Sequence, residues 1–84
     1  MEMERFGQKL RMIRKHYGIS LTKLADELGH KSRGYLGYLE KGNKKPSLTL
    51  ILQLSRMFDV PIDSLLKDEL EVELPPLPKD SVAT

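Results

Sequence analysis

Residues 18–42 read Gly-Ile-Ser-Leu-Thr-Lys-Leu-Ala-Asp-Glu-Leu-Gly-His-Lys-Ser-Arg-Gly-Tyr-Leu-Gly-Tyr-Leu-Glu-Lys-Gly. Leu21, Leu24, Ala25 and Leu28 recur at the spacing of one helix face, and Ser20 stands where an N-cap belongs. Gly29 ends that helix in a tight turn. A second short helix runs from about Ser32 to Lys41, with Leu36 and Leu39 inward and Gly42 as its stop. Its other side carries Lys31, Ser32, Arg33, Gly34, Tyr38 and Lys41. One face of this second helix can pack while the other is basic and polar.

Working outward, Phe6, Leu10 and Ile13 mark an amphipathic helix over Arg5 to Tyr17, with Lys9, Arg11, Arg14 and Lys15 between them and Gly18 at its end. Asn43-Lys44-Lys45-Pro46 is a basic turn. Ser47 then caps a helix over Leu48 to Phe58, whose inward face reads Leu48, Ile51, Leu54, Met57 and Phe58. Asp59-Val60-Pro61 breaks it, and Pro61 at the first helical position opens a short helix, Ile62 to Lys67. Five helices joined by short loops predict an all-α domain over 1–67. From 68 to 84 an acidic, proline-containing tail follows, expected to be extended or disordered.

An 84-residue chain is one small domain, and without cysteine it has neither disulfides nor thiolate metal sites. With His16 and His30 as the only histidines, no metal and no cofactor is expected. No apolar run reaches membrane-span length and no signal-peptide pattern opens the chain, so a soluble, intracellular, cytoplasmic protein is expected. The net charge of +2 hides a split. Residues 5–45 hold 11 Lys/Arg against 3 Asp/Glu, whereas 68–84 hold 1 against 5. A compact basic region suits a polyanion, although lysines on a soluble surface give the same count.

A helix that buries Leu36 and Leu39 and presents a basic face has what a reader of the DNA major groove needs. Arg33 is the foremost candidate for base contact, because its guanidinium fork matches guanine O6 and N7; the alternative is a solvated charge at a helix start. Lys31, Ser32, Gly34 and Tyr38 complete the candidate base-contacting set. Ser20, Thr22, Lys23, Tyr35, Lys41, Asn43, Lys44 and Lys45 form the candidate phosphate-contacting set. Ser20 caps its helix and leaves free amides suited to an anion, while the lysines add affinity without sequence preference. Tyr35 and Tyr38 can equally pack half-buried against the first helix.

The segment Leu10 to Leu66 resembles the phage lambda repressor/Cro, or xenobiotic-response-element, family. The matching residues are Leu10-Arg11-x-Ile13-Arg14, Gly18-x-Ser20, Leu24-Ala25-x-x-Leu28-Gly29, Leu36-x-x-Leu39-Glu40-x-Gly42, Pro46-Ser47-Leu48, Phe58-x-Val60 and Leu65-Leu66. The resemblance implies a five-helix, lambda repressor-like domain that binds operator DNA as a two-fold dimer. It also implies that Arg14 pairs with Glu40 and so orients the reading helix. Three features depart from the family pattern. Leu21 replaces a phosphate-touching glutamine. The turn after Gly29 has one extra residue, so Lys31, Ser32 or Arg33 can begin the helix. Gly34 and Gly37 lie within the reading helix, either for close approach to DNA or because the helix is soft until DNA orders it.

No catalytic constellation is present, so the chain is expected not to be an enzyme. Leu50, Leu52, Ile62 and Leu66 exceed what five small helices readily bury. Leu50, Ile62 and Leu66 are the candidate dimer contacts. The sequence thus predicts a homodimeric, sequence-specific transcriptional regulator, a repressor, acting on an inverted-repeat operator. The rival reading is an antitoxin-like regulator whose tail, 68–84, binds a partner protein. Leu70-Glu71-Val72-Glu73-Leu74 could then add a strand to a partner's sheet edge or pair across a dimer; the alternative is a solvated linker.

Overall fold

The computed structural model describes residues 4–29 and 32–76. Five helices follow in order: α1, Phe6–His16; α2, Leu21–Glu27; α3, Arg33–Glu40; α4, Leu48–Phe58; and α5, Ile62–Leu66. No strand occurs among the described residues. Serines set three of the starts. The Oγ atoms of Ser20, Ser32 and Ser47 accept hydrogen bonds from the amides of Lys23, Tyr35 and Leu50 at 3.0, 3.2 and 3.1 Å. These caps fix the register left open by the longer turn: Ser32 is the N-cap of α3 and Arg33 its first residue.

One core joins all five helices. Phe6, Leu10 and Ile13 of α1 meet Leu24 and Ala25 of α2, Leu36 and Leu39 of α3, Leu50, Ile51 and Leu54 of α4, and Leu65 of α5. The inward face of α4 therefore differs from the sequence expectation. Leu48 is 67 % exposed and Met57 also faces outward, while Leu50 is fully buried. Residues 48, 50, 51, 52 and 54 are all apolar, so periodicity alone admits two phases, and packing selects the one through Leu50. Leu50 is consequently unavailable to a second subunit. Pro61 occupies the N-cap of α5 rather than its first helical position.

The crossing of α1 over α3 depends on Gly7, a residue the sequence did not single out. The backbones approach so closely there that a Cβ would overlap the Leu39 carbonyl oxygen and lie 2.7 Å from that of Glu40. Two turns of α1 hold a second unforeseen feature. Lys9, expected on the polar side, is only 1 % exposed, and its ammonium donates to the carbonyls of Ser64 and Lys67, each at 2.6 Å. A cation at the C-terminal end of α5 also complements that helix's dipole.

Residues 68–76 form neither helix nor strand, yet they are part of the packed domain. Asp68 supplies α1 with the cap its own sequence lacks, its carboxylate accepting from the amides of Arg5 at 2.8 Å and Glu4 at 3.2 Å. The Arg5 guanidinium grips both carboxylate oxygens of Glu71 at 2.9 Å, and Val72 is 7 % exposed. At the other end of α1, the His16 Nε2–H donates to the Pro75 carbonyl at 2.7 Å. The reading of 70–74 as a solvated linker does not hold, because Val72 is buried in this chain's own core and Leu74 packs against it. Residues 77–84 lie outside the described residues.

The carboxylates of this strap give a pH test. Hydrogen bonds from the Arg5 amide hold Asp68 below the usual carboxylate range, and hydrogen bonds from the Arg5 guanidinium do the same for Glu71. Depressed folded values mean that both groups stabilise the fold above their unfolded values of about 4, and that this contribution disappears as pH falls through the folded values. The double variant Asp68→Asn/Glu71→Gln should melt below wild type at pH 7, with the gap closing toward pH 3. A gap independent of pH would show that these contacts do not depend on charge.

Candidate nucleic-acid interface

α3 stands on the surface with Leu36 and Leu39 buried beneath it and Arg33, Gly34 and Tyr38 exposed. Its orientation is held by the pair Arg14–Glu40. Nε and NH2 of Arg14 donate to the two Glu40 carboxylate oxygens at 2.8 and 3.2 Å, and NH1 donates to the Ile19 carbonyl at 3.1 Å. Both side chains are largely shielded from water, where a bidentate pair is stronger and more directional than at the surface. This arrangement ties α1, the α1–α2 turn and the end of α3 together. The hydrogen bonds to Glu40 raise the Arg14 pKa, so the guanidinium keeps its charge.

Arg33 is the first residue of α3, and the first turn of that helix contains no acidic residue. A cation there opposes the helix dipole, so the helix itself gains nothing from an arginine at this point. Lys41 follows the opposite end of α3, and Asn43, Lys44 and Lys45 are exposed in the loop that leads to α4. The Lys44 ammonium lies 6.0 Å from the centroid of the Tyr38 ring. Leu21, Arg33, Gly34, Gly37, Tyr38 and Lys41 line a shallow groove of about 350 Å³ between the start of α2 and the exposed side of α3.

Ser20, Thr22 and Lys23 are exposed at the start of α2, where Lys23 also pairs with Glu27 at 3.0 Å. Tyr35 is half-buried against the core rather than free on the reading side. Lys31 lies outside the described residues. The basic residues of 5–45 are not used alike. Arg5, Lys9 and Arg14 are committed to internal partners, whereas Arg33 and Lys41 line the groove on α3 and Lys44 lies near Tyr38. Among the described residues no cluster of His, Asp and Glu could hold a metal ion, and no helix is long and apolar enough to cross a membrane.

A helix-turn-helix family model matches residues 10–65, the span from the middle of α1 to α5. The chain belongs to the xenobiotic-response-element family of helix-turn-helix transcriptional regulators. Among curated proteins it is 37 % identical over 61 residues to the uncharacterized HTH-type transcriptional regulator YobD of Bacillus subtilis, covering 73 % of this chain and 54 % of that protein. It is 32 % identical over 68 residues to the HTH-type transcriptional regulator SinR of the same organism, covering 80 % and 60 %. The chain thus spans little more than half the length of these relatives. Among solved structures, the restriction-modification controller protein C.AhdI from Aeromonas hydrophila matches with a TM-score of 0.65 and 36 % identity, covering 75 % of this chain and 94 % of that one. The five-helix order and the lambda repressor-like fold read from the sequence agree with this neighbour.

Proposed function

We propose that this helix-turn-helix regulator is a sequence-specific DNA-binding repressor that lays α3 in the major groove, acting as a homodimer on an inverted-repeat operator. The observation that carries the reading is the exposed side of α3: Arg33 at its start, Tyr38 in its middle and Lys41 at its end, above a buried leucine pair and an ion pair that fixes the helix. Arg33 is assigned to base readout, with Ser32, Gly34 and Tyr38 beside it and Lys31, two positions earlier in the sequence, as a further candidate. Ser20, Thr22 and Lys23 at the start of α2, with Lys41, Asn43, Lys44 and Lys45 after α3, are assigned to phosphates on either side. Tyr35, half-buried, is left with at most its hydroxyl for a phosphate.

Two copies related by a two-fold axis would present their α3 helices one DNA turn apart, which is why an inverted repeat is expected. Ile62 and Leu66, half-buried on α5, are the apolar side chains proposed to meet across that axis. Repression follows from occupancy, since a small domain seated on a promoter excludes other proteins from the same duplex.

Selection of random duplexes by the full chain tests the reading. Arg33→Ala should cost roughly 1–3 kcal/mol, about 5- to 150-fold, on the selected sequence and relax preference at one position in each half-site. Lys44→Ala and Lys45→Ala should weaken all duplexes alike and each reduce the salt slope by about 1. Enrichment of no sequence, or unchanged preference in Arg33→Ala, would sink the assignment. Sedimentation of the complex with a two-half-site duplex distinguishes two bound copies from one.

A further inference from the structure

The glycines of this chain are not alike. Gly18, Gly29 and Gly42 hold positive φ angles, and Gly7 lies beneath the carbonyls of α3. Gly34 and Gly37 have no such reason to be glycine. Both are in regular helix; a Cβ on Gly37 would meet nothing within 4 Å, and one on Gly34 would touch only the Ser32 Oγ at an ordinary 3.4 Å. Each makes α3 less stable than alanine would, by about 1 kcal/mol. Nothing inside the folded chain calls for either one. Both lie in the groove whose remaining walls are Leu21, Arg33, Tyr38 and Lys41.

Resting on the DNA-binding reading above, we infer that Gly34 and Gly37 are specificity-determining positions that let the thymine C5-methyl group enter this groove against bare helix backbone and Leu21. The groove combines two demands. Its flanks, Arg33 and Lys41, are cations that call for a polyanion, while Leu21 and the uncovered backbone call for an apolar group. On the base edges of the major groove, only the thymine methyl is apolar. Leu21, at the start of α2, lines this groove, so that wall offers hydrocarbon instead of a polar contact. The absent side chains on α3 provide the depth.

The test uses the duplex enriched by the full chain, with its thymines replaced one at a time by deoxyuridine, which removes the methyl and leaves every hydrogen-bonding group. Wild type should lose about fourfold in affinity at one thymine in each half-site, the equivalent of one buried methyl group. Substituting 5-methylcytosine paired with guanine for that thymine pair, beside unmethylated cytosine, asks whether the methyl alone restores affinity. Gly34→Ala and Gly37→Ala should melt higher than wild type, bind the thymine duplex at least tenfold more weakly and lose the thymine-over-uracil preference. Equal binding of thymine and uracil duplexes by wild type overturns the inference and leaves the DNA-binding reading standing. Alanine variants that keep both affinity and preference overturn it as well. A chain that enriches no sequence overturns both.

Discussion

Gly7→Ala is expected to lower the stability of the domain by about 3 kcal/mol and its melting temperature by about 10–20 °C, although the substitution lies inside a helix. On helix propensity alone the change should stabilise by about 1 kcal/mol. The sign reverses because the added methyl has no room: the Leu39 oxygen occupies its place and the Glu40 oxygen is 2.7 Å away. These are backbone atoms, and the Leu39 carbonyl is already engaged by the Gly42 amide at 3.1 Å, so the obstruction cannot turn aside like a flexible side chain. Relief requires α1 to move off α3, which would also pull Arg14 away from Glu40. Thermal unfolding followed by circular dichroism measures the first effect. A higher melting temperature for the alanine variant would contradict the α1–α3 crossing itself.

Lys9→Ala should cost about 3 kcal/mol, of which the lost side-chain packing is one part and the lost hydrogen bonds to two carbonyls another. The Lys9 ammonium donates to the Ser64 carbonyl and shares the Lys67 carbonyl with the Leu70 amide at the end of α5, a helix of five residues too short to persist on its own. Burial pushes the lysine's pKa down, a desolvation penalty that the nearby carboxylates of Asp68, Glu71 and Glu69 oppose. Lys9→Met separates the two parts. It fills the channel but cannot donate, and should recover more than half of the loss seen with alanine in urea unfolding. Equal losses for methionine and alanine would mean that the hydrogen bonds, and not the stem, hold α5.

The readable and unreadable parts of this chain differ in range. The caps at Ser20 and Ser47, the bounds of α4 and the buried Leu36/Leu39 pair were legible because each depends on residues within one or two turns. Gly7 and Lys9 were not legible, since their reasons are the carbonyls of residues 39–40 and of residues 64 and 67. An isolated lysine between apolar residues looks like the outer face of a helix until another helix end arrives over it. Leu48 and Leu50 illustrate a second limit: a nearly continuous apolar run has no phase, and the core chooses it. In the candidate interface, the groove-facing residues of α3 could be named from its leucine stripe. The start of α3 needed the Ser32 cap to fix it, and the isolation of Gly37 from every neighbour needed three dimensions.

The strap joining residues 68–72 to the start of α1 has a consequence for synthesis. Arg5 and Glu71 are 66 positions apart, and Lys9 waits for carbonyls 55 and 58 positions downstream. Contacts of such long range close late and make folding slower than local helix pairing would. As the chain leaves the ribosome, α2 and α3 can pair early, but α1 has neither its cap nor its buried partner until nearly the whole domain has emerged. The helix assigned to reading DNA is thus translated well before the structure that orients it can close, and a nascent chain should acquire protease resistance in one late step.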